Sequence, residues 1–447
     1  METGYPHAAH VRPALMDMLH AIGMDVSFER AEGNYLFHRR NGESVPVLDL
    51  VGGYGTLLLG HHHPELRGTM RDFLDRHIPV HDQGSCRMHA ARLAESLLEV
   101  ICDGRPDYRV IYGNSGAEGV EIALKHALLE CTMRRSRGVF IAIEGGFHGK
   151  TLAAVQMSSN MDYRGPFCGT GTEVVFARRN DINHLRNTFR NHNAVACILE
   201  PIQGEGGVFP LLPEYVREAE RLCRTKGIPL IVDECQTGLG RTGRALESTA
   251  LGITPDYLIL SKVLSGGLVK ISATLIRSER YRPAIDLLHT STYGGDALSS
   301  IVALKVIEIV RRNDFRVIKQ CAAKGGILLE KLRCLRGAYP EVIRDVRGRG
   351  LMIGIQFSPE PATSSRFIRA VAKQRFLGYL VSAHLFWRHR IRIAPTLSEP
   401  QTLRVQPSAF IDLHELDRFV TALAEVCDIL KRGDGGGLVK YLVGNTA

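Results

Sequence analysis

No apolar run in this chain approaches the ~20 residues needed to span a bilayer. The opening stretch "METGYPHAAHVRPALMDMLHAIGMD" lacks the basic start and small-residue cleavage site of a secretory signal. Ten cysteines are scattered without a C-x-x-C pair, and Cys102, Cys197 and Cys235 lie in or beside apolar segments. That pattern excludes a disulfide framework or a zinc site and predicts reduced, mostly buried thiols. These absences together place the expected protein in the cytoplasm, away from membranes. Solenoid repeats are missing as well. The formal charge of +9 and the pI near 9.1 invite a nucleic-acid reading. Against it, the densest basic run, "MRRSRG" at 133–138, is short, and no aromatic-interleaved basic motif appears. No nucleic-acid partner is expected; a preference for anionic small molecules accounts for the charge.

What is present is ordinary globular composition: 447 residues, 45% apolar and 23% charged, enough for a sizeable core and two lobes. From about 108 to 276, short β-rich runs alternate with amphipathic stretches: "YRVIYG", "GVFIAI", "AVACILE", "IPLIVDE", "YLILS" and "ISATLI". Apolar strands between helices predict an α/β fold with a mostly parallel sheet covered on both faces. Residues 30–50 read as a hairpin turning at Asn41-Gly42, and 300–335 as a long helix. "VRGRGLMIGIQF" reads as a strand and "LHELDRFVTALAEVCDIL" as a final helix. The expected division is a small α/β domain from both termini (1–55 and 311–432), a large domain (56–310), and a flexible, glycine-rich tail (433–447).

Ligands in open α/β sheets sit beyond the carboxyl ends of the strands, and three such ends carry unusual chemistry. "IYGNSGAEG" places Ser115, Gly116 and Ala117 where a strand gives way to a helix, and helix-terminal N–H groups bind phosphate. "IPLIVDECQT" puts Asp233 at the end of an apolar strand, where a carboxylate needs a cation or several donors. "YLILSKVLSGG" puts Lys262 at another, where a lysine can become a nucleophile toward carbonyls. Alone, each has an ordinary alternative: a tight turn, a helix cap, a solvated lysine. Together they are what pyridoxal phosphate requires. The lysine would hold its aldehyde, the acid would keep its ring nitrogen protonated, and the helix start would fix its phosphate.

The chain resembles the class III, or ω-, aminotransferases of the pyridoxal-phosphate-dependent fold type I group, over most of its length. The motifs that carry the resemblance are "NSGAEGVEIALKHA", "GGFHGKTLAA", "LEPIQGEGGV", "LIVDECQTGLGRTGR", "GITPDYLILSKVLSGG", "HTSTYGG" and "VRGRGLMIGI". The resemblance implies that Asp233 pairs with the pyridinium nitrogen and that Gln236 lies near the ring hydroxyl. Lys262 would anchor the cofactor and shuttle the proton. Ser115, Gly116 and Ala117 would hold the phosphate, and Phe147 would stack on the ring beside His148. Thr292 matches a residue that reaches the phosphate from the neighbouring subunit, which implies a homodimer with shared sites. The "GLGRTG" that follows Asp233 is then a loop after the cofactor acid; in a dinucleotide fingerprint the glycines follow the strand at once. "FHGKT" is no Walker loop, because Glu144 replaces the required glycine, and the "HHH" at 61–63 is not expected to bind metal.

At the substrate end, the family grips a carboxylate with a C-terminal arginine, whose two parallel donors match that group. Arg404 in "TLRVQPSAF" is favoured and Arg392 in "IRIAPTLSEP" is the alternative. Glu205 matches a residue that pairs with this arginine when the second substrate lacks the carboxylate, and it counts among the cofactor contacts too. Tyr54 matches a position lining the substrate pocket. Lys150 stands where ornithine-type members often have arginine, which argues against an α-amino-acid-like acceptor. The segment "LVSAHLFWRHRIRIAPTLSEPQTLRV" looks like members that aminate aldehydes released from polyketide or fatty-acyl assembly lines; a terminal diamine such as putrescine is the other candidate partner. The expected function is ping-pong transfer of an amino group from an amine or amino-acid donor to a keto acid or aldehyde. The alternatives are a racemase or decarboxylase on the same scaffold, and a non-catalytic cofactor-binding regulatory protein.

Overall fold

The computed structural model describes residues 10–101, 107–134, 137–169 and 171–444. Cys102, part of the basic run at 133–138 and the outermost residues of both termini fall outside them. The six β-rich runs of the middle of the chain, joined at one edge by Val174–Ala177, which the sequence reading did not pick out, form a seven-stranded sheet. In spatial order it comprises Tyr108–Gly113, Ser272–Arg277, Tyr257–Leu260, Leu230–Asp233, Ala194–Leu199, Val139–Ile143 and Val174–Ala177. Ser272–Arg277 runs antiparallel to both its neighbours and the remaining pairings are parallel. Ile231, Val232, Ile259 and Leu258 are fully buried, as strands covered on both faces must be. The parallel strands therefore share one carboxyl edge.

Two smaller sheets involve both ends of the chain. Phe28–Glu32, Tyr35–Arg40 and Glu43–Asp49 form a meander, and Ile391–Arg392 joins it in parallel beside Glu43–Asp49. The hairpin turns at Asn41 and Gly42, with φ of 52° and 83°, the left-handed pair that matches the twist of a two-residue hairpin. Ile343–Arg349, Met352–Phe357, Thr402–Val405 and Ala394–Pro395 form the other sheet. A core cluster including Leu48, Leu328, Ile355, Leu403 and Phe419 lies under these sheets, separate from those flanking the large sheet.

The long helical pattern spans Ala297–Ala338 but breaks at Arg312–Phe315, where Asn313, Asp314 and Phe315 all have positive φ. The glycine-rich tail departs from expectation. Gly433 ends the helix Leu413–Arg432 in a left-handed cap, and Gly435–Gly444 forms a further helix. Gly435, Gly436 and Gly437 occupy its first turn, where Asp434 accepts the N–H of Gly437 at 2.7 Å. Leu438 and Tyr441 are buried, and the Leu438 carbonyl accepts from His384 at 2.9 Å. Burial of these apolar side chains offsets the low helix propensity of glycine.

The described cysteines are free. Cys197, Cys223, Cys321 and Cys427 are buried, whereas Cys86, Cys168 and Cys334 are exposed. No described helix is long and apolar enough to cross a membrane.

Candidate active site

Five strands of the large sheet deliver their carboxyl ends to one cavity of about 410 Å³. Tyr108–Gly113 leads to Gly116 and Ala117, Val139–Ile143 to Phe147, His148 and Lys150, and Ala194–Leu199 to Glu200 and Glu205. Leu230–Asp233 ends in Asp233 and leads to Gln236, and Tyr257–Leu260 leads to Lys262. Tyr54 closes the cavity from the N-terminal segment.

Of the two consecutive acids Asp233 and Glu234, only Asp233 lines the cavity. Glu234 is spent on structure: it accepts from Thr237 at 2.9 Å and from the N–H groups of Glu247 and Ser248, each at 2.8 Å. Asp233 lines the cavity, where its Oδ2 meets His148 Nδ1 at 2.9 Å and its Oδ1 accepts the Cys235 N–H at 3.1 Å. Burial works against its charge, but the His148 hydrogen bond and charge, with the Cys235 amide, hold its pKa below the ordinary value. A carboxylate that stays ionised in a buried place is suited to hold a protonated ring nitrogen.

At the other end, Ser115 caps the helix Gly116–Met133 by accepting the Glu118 N–H at 3.2 Å. Gly116 and Ala117 are its first residues, whose amides have no carbonyl one turn back to bond. A Cβ at Gly116 would lie 2.9 Å from Cys235 Sγ, so the close approach requires glycine. Lys262 has φ of 36°, a left-handed conformation that costs about 1–3 kcal/mol in a non-glycine residue. Lys262 lines the cavity in this strained conformation. The buried acid, the helix start and the strained lysine share one concave space, and this donor set fits pyridoxal phosphate.

The "GLGRTG" loop that follows Asp233 is packed inside the fold. Arg241 is wholly buried in it and donates to the carbonyls of Leu351, Pro407 and Gly55. This ties the loop to the segment that holds Tyr54. Gln236 donates to the Tyr54 carbonyl at 3.1 Å and to Gln406 Oε1 at 3.3 Å.

Glu205 Oε1 accepts from Arg404 Nη1 at 2.7 Å, and its Oε2 takes the Leu397 N–H at 3.0 Å. Burial pushes the Glu205 pKa up, but the Arg404 charge and hydrogen bond, the Leu397 amide and the Lys262 charge together hold it below the ordinary value. Arg404 is 2% exposed, stands 5.2 Å from the Tyr54 ring and, among the described residues, has no hydrogen-bond partner for Nη2. Arg392 is elsewhere: it meets Asp49 at 3.1 Å, the same buried acid that takes His61 at 2.9 Å. Of the two candidate arginines only Arg404 reaches a cavity-lining residue through a described contact. In the histidine run, His61 binds Asp49 at 2.9 Å and the His63 ring packs on Phe410 at 5.8 Å between ring centroids.

Lys150 lies over the Tyr163 ring at 3.9 Å, and Phe147 meets the same ring edge-on at 6.2 Å. Thr292 does not line the cavity; it is exposed, and its carbonyl accepts from Gln83. Sequence reasoning passed over Glu200, Gly149, Cys235 and Ser261, all of which line the cavity. The signal for Glu200 was available: it follows an apolar strand as directly as Asp233 ends one.

Comparison with known proteins gives this arrangement its context. Aminotransferase PigE from Serratia sp. (strain ATCC 39006) is 33% identical across 94% of this chain and 52% of its own length. The chain thus spans about half the length of that curated relative. Among solved structures, the ornithine aminotransferase of Toxoplasma gondii superposes with a TM-score of 0.78 at 26% identity, covering 90% of each chain. An amine transaminase from an uncultivated Pseudomonas species, in its PLP-bound form, gives 0.77 at 25% identity, covering 90% of this chain and 94% of its own. The profile of the family described as "Aminotransferase class-III" matches residues 20–426, and the chain belongs to that family of pyridoxal-phosphate-dependent, fold type I transaminases.

Proposed function

We propose that this protein moves an amino group from a carboxylate-bearing donor such as glutamate to an aldehyde that lacks that carboxylate. The observation that carries this reading is the Glu205–Arg404 pair at 2.7 Å beside the cavity. When a donor carboxylate arrives, Arg404 turns its planar donors to it and Glu205 is displaced. When the second substrate brings no carboxylate, Glu205 returns and neutralises the arginine, and no buried charge is left unpaired. The Tyr54 and Phe147 rings, which line the cavity, then offer apolar surface to the chain of an aldehyde.

Pyridoxal phosphate, when bound, supplies an electron sink for the pair released at the amino-bearing carbon. The chain's own residues do the rest. Asp233, steadied by His148, holds the ring nitrogen's proton. The amides of Gly116 and Ala117 receive the phosphate. Lys262 Nζ takes the proton from the donor's amino-bearing carbon, and later delivers one to the former carbonyl carbon of the acceptor. We further propose a homodimer, in which the neighbouring copy's Thr292 completes the phosphate site. The exposure of Leu287, Leu288 and Tyr293 beside it supports a covered face.

Arg404→Ala tests the switch. A charge-assisted hydrogen bond contributes about 2 kcal/mol, so KM for glutamate should rise about 30-fold while that for a carboxylate-free amine stays within a factor of about three. An equal rise for both substrates would remove Arg404 from carboxylate recognition.

A further inference from the structure

Glu200 stands at the carboxyl end of Ala194–Leu199, 6% exposed and lining the cavity. Its two oxygens serve two different loops. Oε1 accepts the N–H of Phe147 at 2.8 Å, and Oε2 accepts the N–H of Gly204 at 3.2 Å. The first loop carries Phe147, His148 and Lys150; the second carries Glu205. Among the described ion pairs Glu200 has no lysine or arginine partner, so these amides are its main satisfaction in a buried place. Glu234, at the end of the next strand, shows the ordinary alternative: its bonds serve structure only, and it does not line the cavity. Little slack is left in the second loop, since a Cβ at Gly204 would lie 1.4 Å from Gln236 Oε1.

We propose that Glu200 is a positioning residue whose single carboxylate locks the Phe147–His148 loop to the Gly204–Glu205 loop, so that the cofactor face and the substrate gate are set together. The proposal rests on the functional reading above for what the two loops do, and on the two hydrogen bonds for their coupling. A carboxylate can accept on both oxygens. A carboxamide accepts on one and presents an N–H to the other loop's N–H. Glu200→Gln therefore removes one of the two bonds directly, and in a coupled pair both loops loosen.

The test is amide hydrogen exchange on the full-chain holoenzyme at a pH above about 8, where Glu200 is a carboxylate, comparing wild type, Glu200→Gln and Glu200→Asp, whose shorter side chain cannot span both loops. The expected result is exchange faster by about 30-fold in both 145–149 and 203–207, the effect of one charge-assisted bond, with the strands of the large sheet unchanged. The visible circular dichroism of bound pyridoxal phosphate, which reports a fixed ring orientation, should fall in step. Acceleration in only one segment, or in neither, overturns the proposal. So does loosened exchange with unaltered dichroism, which marks a structural role without effect on the cofactor. If Glu200→Gln does not fold, the Glu200→Asp comparison decides by the same criteria. A wild type that shows no cofactor band after addition of pyridoxal phosphate would overturn the functional reading, and the exchange comparison would still decide the coupling.

Discussion

Asp233 and Glu200 end neighbouring strands and ionise in opposite directions. Burial opposes charge on both. Asp233 is rescued by His148 and the Cys235 amide, whereas Glu200 is driven to about 7 by burial, with His148 opposing and the nearby Asp233 charge adding to the rise. A carboxyl raised in the folded state stabilises it fully below the unfolded pKa of 4.5, and that contribution is lost as pH rises through about 7. Thermal unfolding should therefore show the midpoint of wild type minus that of Glu200→Gln falling between about pH 5 and about pH 8. A difference flat across that window would contradict a raised Glu200. Asp233 acts below it, its contribution being present above 3.8 and lost as pH falls through its lowered folded pKa. Lys262→Ala should lower kcat by at least about 10²–10⁴, the worth of positioned proton transfer, in a steady-state assay. Asp233 and Lys262 stood out in the sequence because a charged side chain ending an apolar run is costly unless used, whereas Glu205 was reached only through the family resemblance. The choice between Arg404 and Arg392 was not. "RIRIAP" and "LRVQP" are near copies, and what separates them is pairing: Arg404 lies opposite Gly354 and Ala394, while Arg392 lies opposite Asp49 in another sheet.

Strands and turns were readable as elements wherever one local rule dominated. The parallel strands appeared as apolar runs, and the Asn41–Gly42 turn as the dipeptide its positive φ values demand. The helix Gly435–Gly444 was unreadable because its local signal, three glycines, points the wrong way, and its stability comes from Leu438 and Tyr441 packing on distant residues. The break at Arg312–Phe315 was hidden for a similar reason, since nothing in that stretch is a glycine or proline. Leu438→Ala tests the tail's role directly. Loss of a fully buried leucine should destabilise by about 2–5 kcal/mol, seen as a lower denaturant midpoint; a change under about 0.5 kcal/mol would mean the helix is marginal to the fold.

For the molecule as a whole, fold and chemistry are linked by one geometric fact: parallel strands share a carboxyl edge, so residues more than a hundred positions apart in sequence meet there. Nothing local in the sequence reports the resulting cavity; only the order of the strand ends does. The proposed homodimer should sediment at twice the 49.4 kDa of one chain, and a species at the single-chain mass would remove Thr292 from the site. The most direct test of the central claim is a visible absorbance titration of purified holoenzyme with glutamate, alanine, ornithine, putrescine and a long-chain amine. The account predicts that glutamate bleaches the cofactor band with one equivalent of keto product per site, that an added aldehyde restores it, and that Lys262→Ala does neither at a comparable rate. A band that no donor bleaches, or bleaching that Lys262→Ala reproduces at the wild-type rate, would contradict it.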